Sequence, residues 1–120
     1  MSKVKLTDYV VEFLQKKGIH DFFGYQGTMI AHLVDSIEKN PHVRSHSSYH
    51  EQGAAFAACG YAQAKNACGC AYATSGPGAA NLLSGVADAY FDSLPVIFIT
   101  GQLNTCLLYT SPSPRDRSVS

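Results

Sequence analysis

At 120 residues the chain has room for one domain. Nine basic residues balance nine acidic ones and only 15% of residues are charged, which excludes the basic surface a nucleic-acid-binding protein needs. The 46% hydrophobic content is that of an ordinary globular chain, with no run of about 18 apolar residues to cross a membrane.

Residues 1–6 carry two lysines with no long apolar stretch behind them, so no secretory signal reads there and a cytoplasmic location is expected. Thr7 is positioned to cap a first helix through Val10, Val11, Phe13 and Leu14 that ends at Gly18. Residues 21–24, Asp-Phe-Phe-Gly, read as a short buried strand. Ile30, Leu33, Val34 and Ile37 recur at helical spacing across 29–38. Pro41 breaks the chain, and 42–46 reads as a weak strand. Residues 51–64 are Ala-rich and read as a helix despite Gly60, with side chains small enough to pack closely on a sheet. A strand over 69–74 leads to a helix with Pro77 in its first turn and Leu82, Leu83, Val86 and Ala87 as its buried stripe. The run Leu-Pro-Val-Ile-Phe-Ile-Thr at 94–100 suits a strand covered on both faces.

The alternation of helix and strand predicts an α/β fold, a doubly wound parallel sheet with helices on both faces. Ligands of such sheets sit beyond the carboxyl ends of the strands, near helix N-termini.

The last segment reads differently. Residues 106–116, Cys-Leu-Leu-Tyr-Thr-Ser-Pro-Ser-Pro-Arg-Asp, match codon for codon the translation of a transposase sequencing adapter. The expectation is a native part over 1–105 and adapter read-through over 106–120; a genuine Ser/Pro-rich tail is the alternative. Cys106 falls in this tail. Cys59, Cys68 and Cys70 are odd in number and lack Cys-x-x-Cys spacing, so they are expected as buried thiols in a reducing compartment rather than as disulfides or metal ligands.

Two segments at strand-to-helix junctions carry the chemistry. In Thr74-Ser75-Gly76-Pro77-Gly78 the glycines permit a tight turn and close approach of backbone to a ligand. Taken alone it suits a phosphate or no ligand at all; it is neither a Walker A loop nor a dinucleotide G-x-G-x-x-G. Glu51 opens the Ala-rich helix. A glutamate there commonly complements the helix dipole at the surface, but the apolar flanks of this one predict desolvation that disfavours its charge. Such a carboxyl suits proton exchange with a ligand nitrogen.

With these flanks the two segments become specific. Tyr49-His50-Glu51-Gln52-Gly53-Ala54-Ala55-Phe56 resembles the His-Glu-Gln-Gly helix of the acetolactate (acetohydroxyacid) synthase group of thiamine diphosphate enzymes. Thr74-Ser75-Gly76-Pro77-Gly78-Ala79-Ala80-Asn81 resembles that group's Thr-Ser-Gly-Pro-Gly-Ala-Thr-Asn segment, and Asp92-Ser93-Leu94-Pro95 with Thr100-Gly101-Gln102 continues it. Phe23-Gly24-Tyr25-Gln26-Gly27 resembles the Phe-Gly-Tyr-Pro-Gly-Gly loop. The resemblance spans about residues 6–105 and implies part of an N-terminal pyrimidine-binding domain.

The resemblance implies that Glu51 bonds the aminopyrimidine of thiamine diphosphate and activates it. It implies that Thr74, Gly76, Pro77 and Asn81 line or hold the pyrimidine pocket, and that Tyr25, Gln26 and Gly27 lie near the reacting end of the cofactor. The implied reaction decarboxylates a 2-oxo acid such as pyruvate and adds the hydroxyethyl unit to a second 2-oxo acid. The complete enzyme would be a homodimer or homotetramer, with Mg2+ and diphosphate on a separate domain bearing a Gly-Asp-Gly…Asn motif, and with FAD in some relatives. The chain by itself is then expected to be inactive and poorly stable. Gln26 and Thr28 replace the Pro and second Gly of the loop, which leaves open another thiamine diphosphate-dependent decarboxylase or carboligase. A non-catalytic anion-binding α/β domain is the alternative of a different class.

Overall fold

A computed structural model describes residues 3–103. The adapter-like tail, Cys106 included, and the 105/106 boundary lie outside the described residues.

The order is α1 (Leu6–Lys16), β1 (Asp21–Gly24), a 3-10 turn (Thr28–Ile30), α2 (Ala31–Lys39), β2 (Arg44–Ser47), α3 (Glu51–Lys65), β3 (Gly69–Ala73), α4 (Pro77–Asn81), α5 (Leu83–Phe91) and β4 (Val96–Thr100). The strands form one parallel sheet in the order β2-β1-β3-β4. The chain moves outward from β1 to β2, then returns to the other side of β1 as β3, so the order reverses between β1 and β3. In doubly wound sheets ligands bind at such a point, outside the carboxyl ends of the strands. The α/β doubly wound expectation is met.

Side chains alternate across each strand, and β3 shows why the two faces differ. Cys70 and Tyr72 point into a core of Val11, Leu14, Phe22, Leu33 and Ile37 beneath α1 and α2. Ala71 and Ala73 point the other way, into a thinner layer with Ala55, Ala58 and Leu82 under α3 and α5. The small residues let α3 approach closely: a methyl placed on Gly85 of α5 would run into Ala55. Burying Phe22 or Tyr72, both essentially inaccessible, contributes about 1.5–3 kcal/mol each.

Four local expectations are corrected. Thr7 does not cap α1; Lys5 flanks the helix without a side-chain cap, and the Thr7 hydroxyl lies 2.7 Å from Ser36 Oγ on α2. Ser36 in turn donates to Asp8 Oδ1 at 2.6 Å, so hydroxyls tie the two helices together. The helix after Pro77 divides at Leu82, whose N–H bonds to Ala79 O in a tightened turn. Of its predicted stripe only Leu82 is buried; Leu83, Val86 and Ala87 are exposed, and Gly85 and Ala89 face the core instead. Strand β4 is one of the sheet's two edges among the described residues, and it is half-buried rather than covered on both faces.

Candidate functional site

Glu51 reaches its place through the chain that precedes it. Strand β2 runs parallel to β1 as far as Ser47, and Ser48 N–H bonds to Gly24 O at 2.8 Å. The chain then turns so that His50 caps α3, its Nδ1 accepting from Gln52 N–H at 3.1 Å. Glu51 thus begins a stripe with Ala54, Ala55, Ala58, Cys59 and Ala62, all on the buried face of α3. Glu51 occupies the one polar position of that stripe and is buried, 9% accessible as a residue.

The turn after β3 closes over it. Gly76 adopts φ 66°, a conformation that disfavours side chains, and Pro77 starts α4 where no N–H is required. Gly78 then passes directly by the carboxylate: a methyl on it would lie 3.2 Å from Glu51 Oε1 and 2.8 Å from Thr74 Cγ2. The loop after β1 meets the same point, since a methyl on Gly27 would collide with Thr74. At the end of α4, Asn81 Nδ2 donates to Glu51 Oε2 at 3.0 Å.

The electrostatics differ from the sequence expectation. Burial does push Glu51 toward its neutral form, but the Asn81 hydrogen bond outweighs it and holds the carboxyl below its usual value, aided by a backbone N–H and by His50. Glu51 is therefore an ionised, proton-accepting group at neutral pH.

Five of the sequence-predicted residues meet around this carboxylate or in the turn above it: Thr74, Gly76, Pro77, Asn81 and, through Thr74, Gly27. Tyr25 and Gln26 do not join them by any described hydrogen bond and are solvent-exposed. Gln26 and Gly27 instead border a neighbouring hollow of about 580 Å3 with Thr28, Ala31, Val34 and Asp35. Tyr49, two residues before Glu51, is fully exposed.

The sequence reading missed two groups. His50, without an assigned role, is the cap of α3. At the opposite end of the sheet, buried Asp21 accepts from Arg44 Nε at 2.8 Å, Arg44 Nη2 at 2.9 Å and His46 Nε2 at 2.7 Å. The register that sets Asp21 beside Arg44 produces this cluster; an acid opening one apolar strand and bases at alternate positions of the next were its only signal. Cys59 and Cys70 are buried thiols, as expected, whereas Cys68 is only half-buried.

The residues present fit a flat heteroaromatic ring bearing a basic nitrogen. A backbone floor without a Cβ at Gly78 lies beside Oε1 of a buried carboxylate whose Oε2 is held by Asn81. That carboxylate also disfavours a phosphate in the same turn, because the two charges would repel in a low-dielectric setting.

Residues 4–113 match the family described as thiamine pyrophosphate enzyme, N-terminal TPP binding domain. The chain is 46% identical over 102 residues to the probable acetolactate synthase 2, chloroplastic, of Oryza sativa subsp. japonica, an alignment covering 85% of this chain and 15% of the rice protein. It is 44% identical over 99 residues to acetolactate synthase 1, chloroplastic, of Zea mays, covering 82% of this chain and 16% of that protein. Acetolactate synthase, chloroplastic, of Arabidopsis thaliana is 42% identical over 99 residues, covering 82% of this chain and 15% of that protein. The chain thus spans about 15% of the length of the curated relatives it matches.

Proposed function

The chain belongs to the thiamine pyrophosphate enzyme family, as an N-terminal TPP binding domain, and we propose that it is the aminopyrimidine-activating part of an acetolactate synthase-like carboligase. The complete enzyme decarboxylates a 2-oxo acid such as pyruvate and joins the two-carbon unit to a second 2-oxo acid. The observation that carries this reading is the buried Glu51 carboxylate lying against the side-chain-free Gly78.

When bound, thiamine diphosphate supplies the thiazolium that accepts the electrons released by decarboxylation. Glu51 Oε1 would hold or release a proton facing the ring nitrogen of a bound aminopyrimidine. Thr74, Gly76 and Pro77 fix the turn that receives the ring, and Gly27 closes it from the β1 side. Tyr25 and Gln26, both exposed, are assigned to the approach of the second substrate on the resemblance of their loop alone. Mg2+, the diphosphate and, where used, FAD fall to other parts of the complete protein, which acts as a homodimer or homotetramer.

A non-catalytic anion-binding role is less well supported, since the carboxylate beside the turn opposes an anion. The test is product analysis of the complete protein with pyruvate and thiamine diphosphate. Acetolactate is the expected product; release of acetaldehyde alone would overturn the carboligase assignment.

A further inference from the structure

We propose that Asn81 is a positioning residue that pins Oε2 of Glu51 and leaves Oε1, beside Gly78, as the single oxygen presented to the cofactor. This role rests on the activating function proposed for Glu51 and assigns Asn81 to the carboxylate rather than to the ring.

The geometry is one-sided. The Asn81 amide reaches Oε2 at 3.0 Å from the far end of α4, whereas Oε1 lies next to Gly78. An ionised carboxylate only accepts, so the amide turns its N–H2 toward it. A donor already on Oε2 lowers the electron density available there and directs any incoming proton to Oε1. It also stops the side chain rotating between two equivalent oxygens, which would blur the distance to a bound ring. The same bond opposes burial and keeps the acid ionised before the cofactor arrives.

Few other groups act on this carboxylate among the described residues. A backbone N–H at Glu51 itself and His50, its neighbour on the chain, aid ionisation. Helix α4 carries no titratable side chain. On β3, Tyr72 turns its hydroxyl to Ser45. Asp21 of β1 is tied to Arg44 and His46, and Asp88 of α5 acts on Cys59. Among the described residues, Asn81 is the one side chain hydrogen-bonded to the acid.

The test uses the complete protein with 13Cδ-labelled glutamate, the Glu51 resonance being identified by its loss in Glu51→Gln. In cofactor-free protein, Asn81→Ala and Asn81→Leu should each raise the proton affinity of Glu51 about tenfold, through loss of a hydrogen bond to the charged form. With thiamine diphosphate bound, the acidic limb of the pH profile for exchange of the thiazolium C2 proton should move upward in step. Both variants are uncharged and lack the amide donor but differ in size, so whichever folds reports on the donor. An unchanged Glu51 titration in the folded Asn81 variants overturns the proposal. Unchanged C2 exchange in Glu51→Gln would instead overturn the activating role of Glu51, while the cofactor-free titration still decides what Asn81 does.

Discussion

Replacing Gly78 by alanine perturbs the packing of the site without altering its functional groups. The added methyl would sit 2.8 Å from Thr74 Cγ2 and 3.2 Å from Glu51 Oε1. Carbon pairs rest at about 3.5–4.0 Å, so the Thr74 contact is short by roughly 0.7 Å or more. Thr74 has little room to yield, because it already abuts Gly27 on its other side. The strain therefore passes to α4 and draws Asn81 away from Glu51. Over-packing of this kind costs about 1–3 kcal/mol, offset by up to about 1 kcal/mol of improved helix propensity, for a net loss near 1–2 kcal/mol. Gly60→Ala provides the reference: it lies mid-way along α3, is exposed, and its methyl would meet nothing within 4 Å. That change should stabilise by about 0.5–1 kcal/mol. Urea denaturation of the full chain, followed by far-ultraviolet circular dichroism, should therefore show midpoints moving in opposite directions. Adding Thr74→Ser removes the obstructing Cγ2 and should restore about 1 kcal/mol of the Gly78→Ala loss, a non-additivity diagnostic of direct contact. If Gly78→Ala raises the midpoint as Gly60→Ala does, the close approach of the turn to Glu51 is refuted.

Three further outcomes follow from the same structure. Asp21 is held well below its usual 3.8 chiefly by the Arg44 hydrogen bond, with His46 adding to it; because the folded value is the lower one, its contribution is present above about pH 4 and is lost as the pH falls further. The urea midpoint should thus drop between pH 6 and pH 3, and Asp21→Asn should cost about 1–2 kcal/mol at pH 7 while flattening that slope; an unchanged slope would count against the cluster. Burial pushes the Cys70 thiol up to about 12, so peptide mapping after brief alkylation at pH 8 should find the half-buried Cys68 labelled well before Cys70; equal labelling would contradict the core assignment. Leu82→Ala removes a fully buried side chain from between α3 and the sheet and should destabilise by about 2–5 kcal/mol, whereas Leu83→Ala, on an exposed residue, should change stability by less than about 0.5 kcal/mol; denaturation midpoints that fail to separate would return Leu83 to the core.

What was legible in the sequence had strong local periodicity. The buried runs of β1 and β3, and the stripe of alanines that begins at Glu51, gave the sheet, its helices and the acid at their junction. What escaped depended on neighbours distant in sequence. Hydrophobicity pointed to Leu83 and Val86 as core, yet the face of α5 that meets α3 had to be thin, so Gly85 and Ala89 took it. Thr7 has the chemistry of a cap, but Ser36 on another helix claims its hydroxyl. The desolvation of Glu51 could be anticipated from its flanks; the opposing bond could not, because Asn81 is thirty positions away. Asp21 found its partners only through the register of β1 on β2.

The central claim, that Glu51 activates the cofactor, is tested most directly by the exchange rate of the thiazolium C2 proton in deuterium oxide, measured for the complete protein and its Glu51→Gln variant with thiamine diphosphate bound in both. A general acid–base group in this role contributes about 10²–10⁴-fold, so exchange in the variant should slow by at least a hundredfold while the cofactor remains bound. Equal exchange rates in the two proteins would contradict the account.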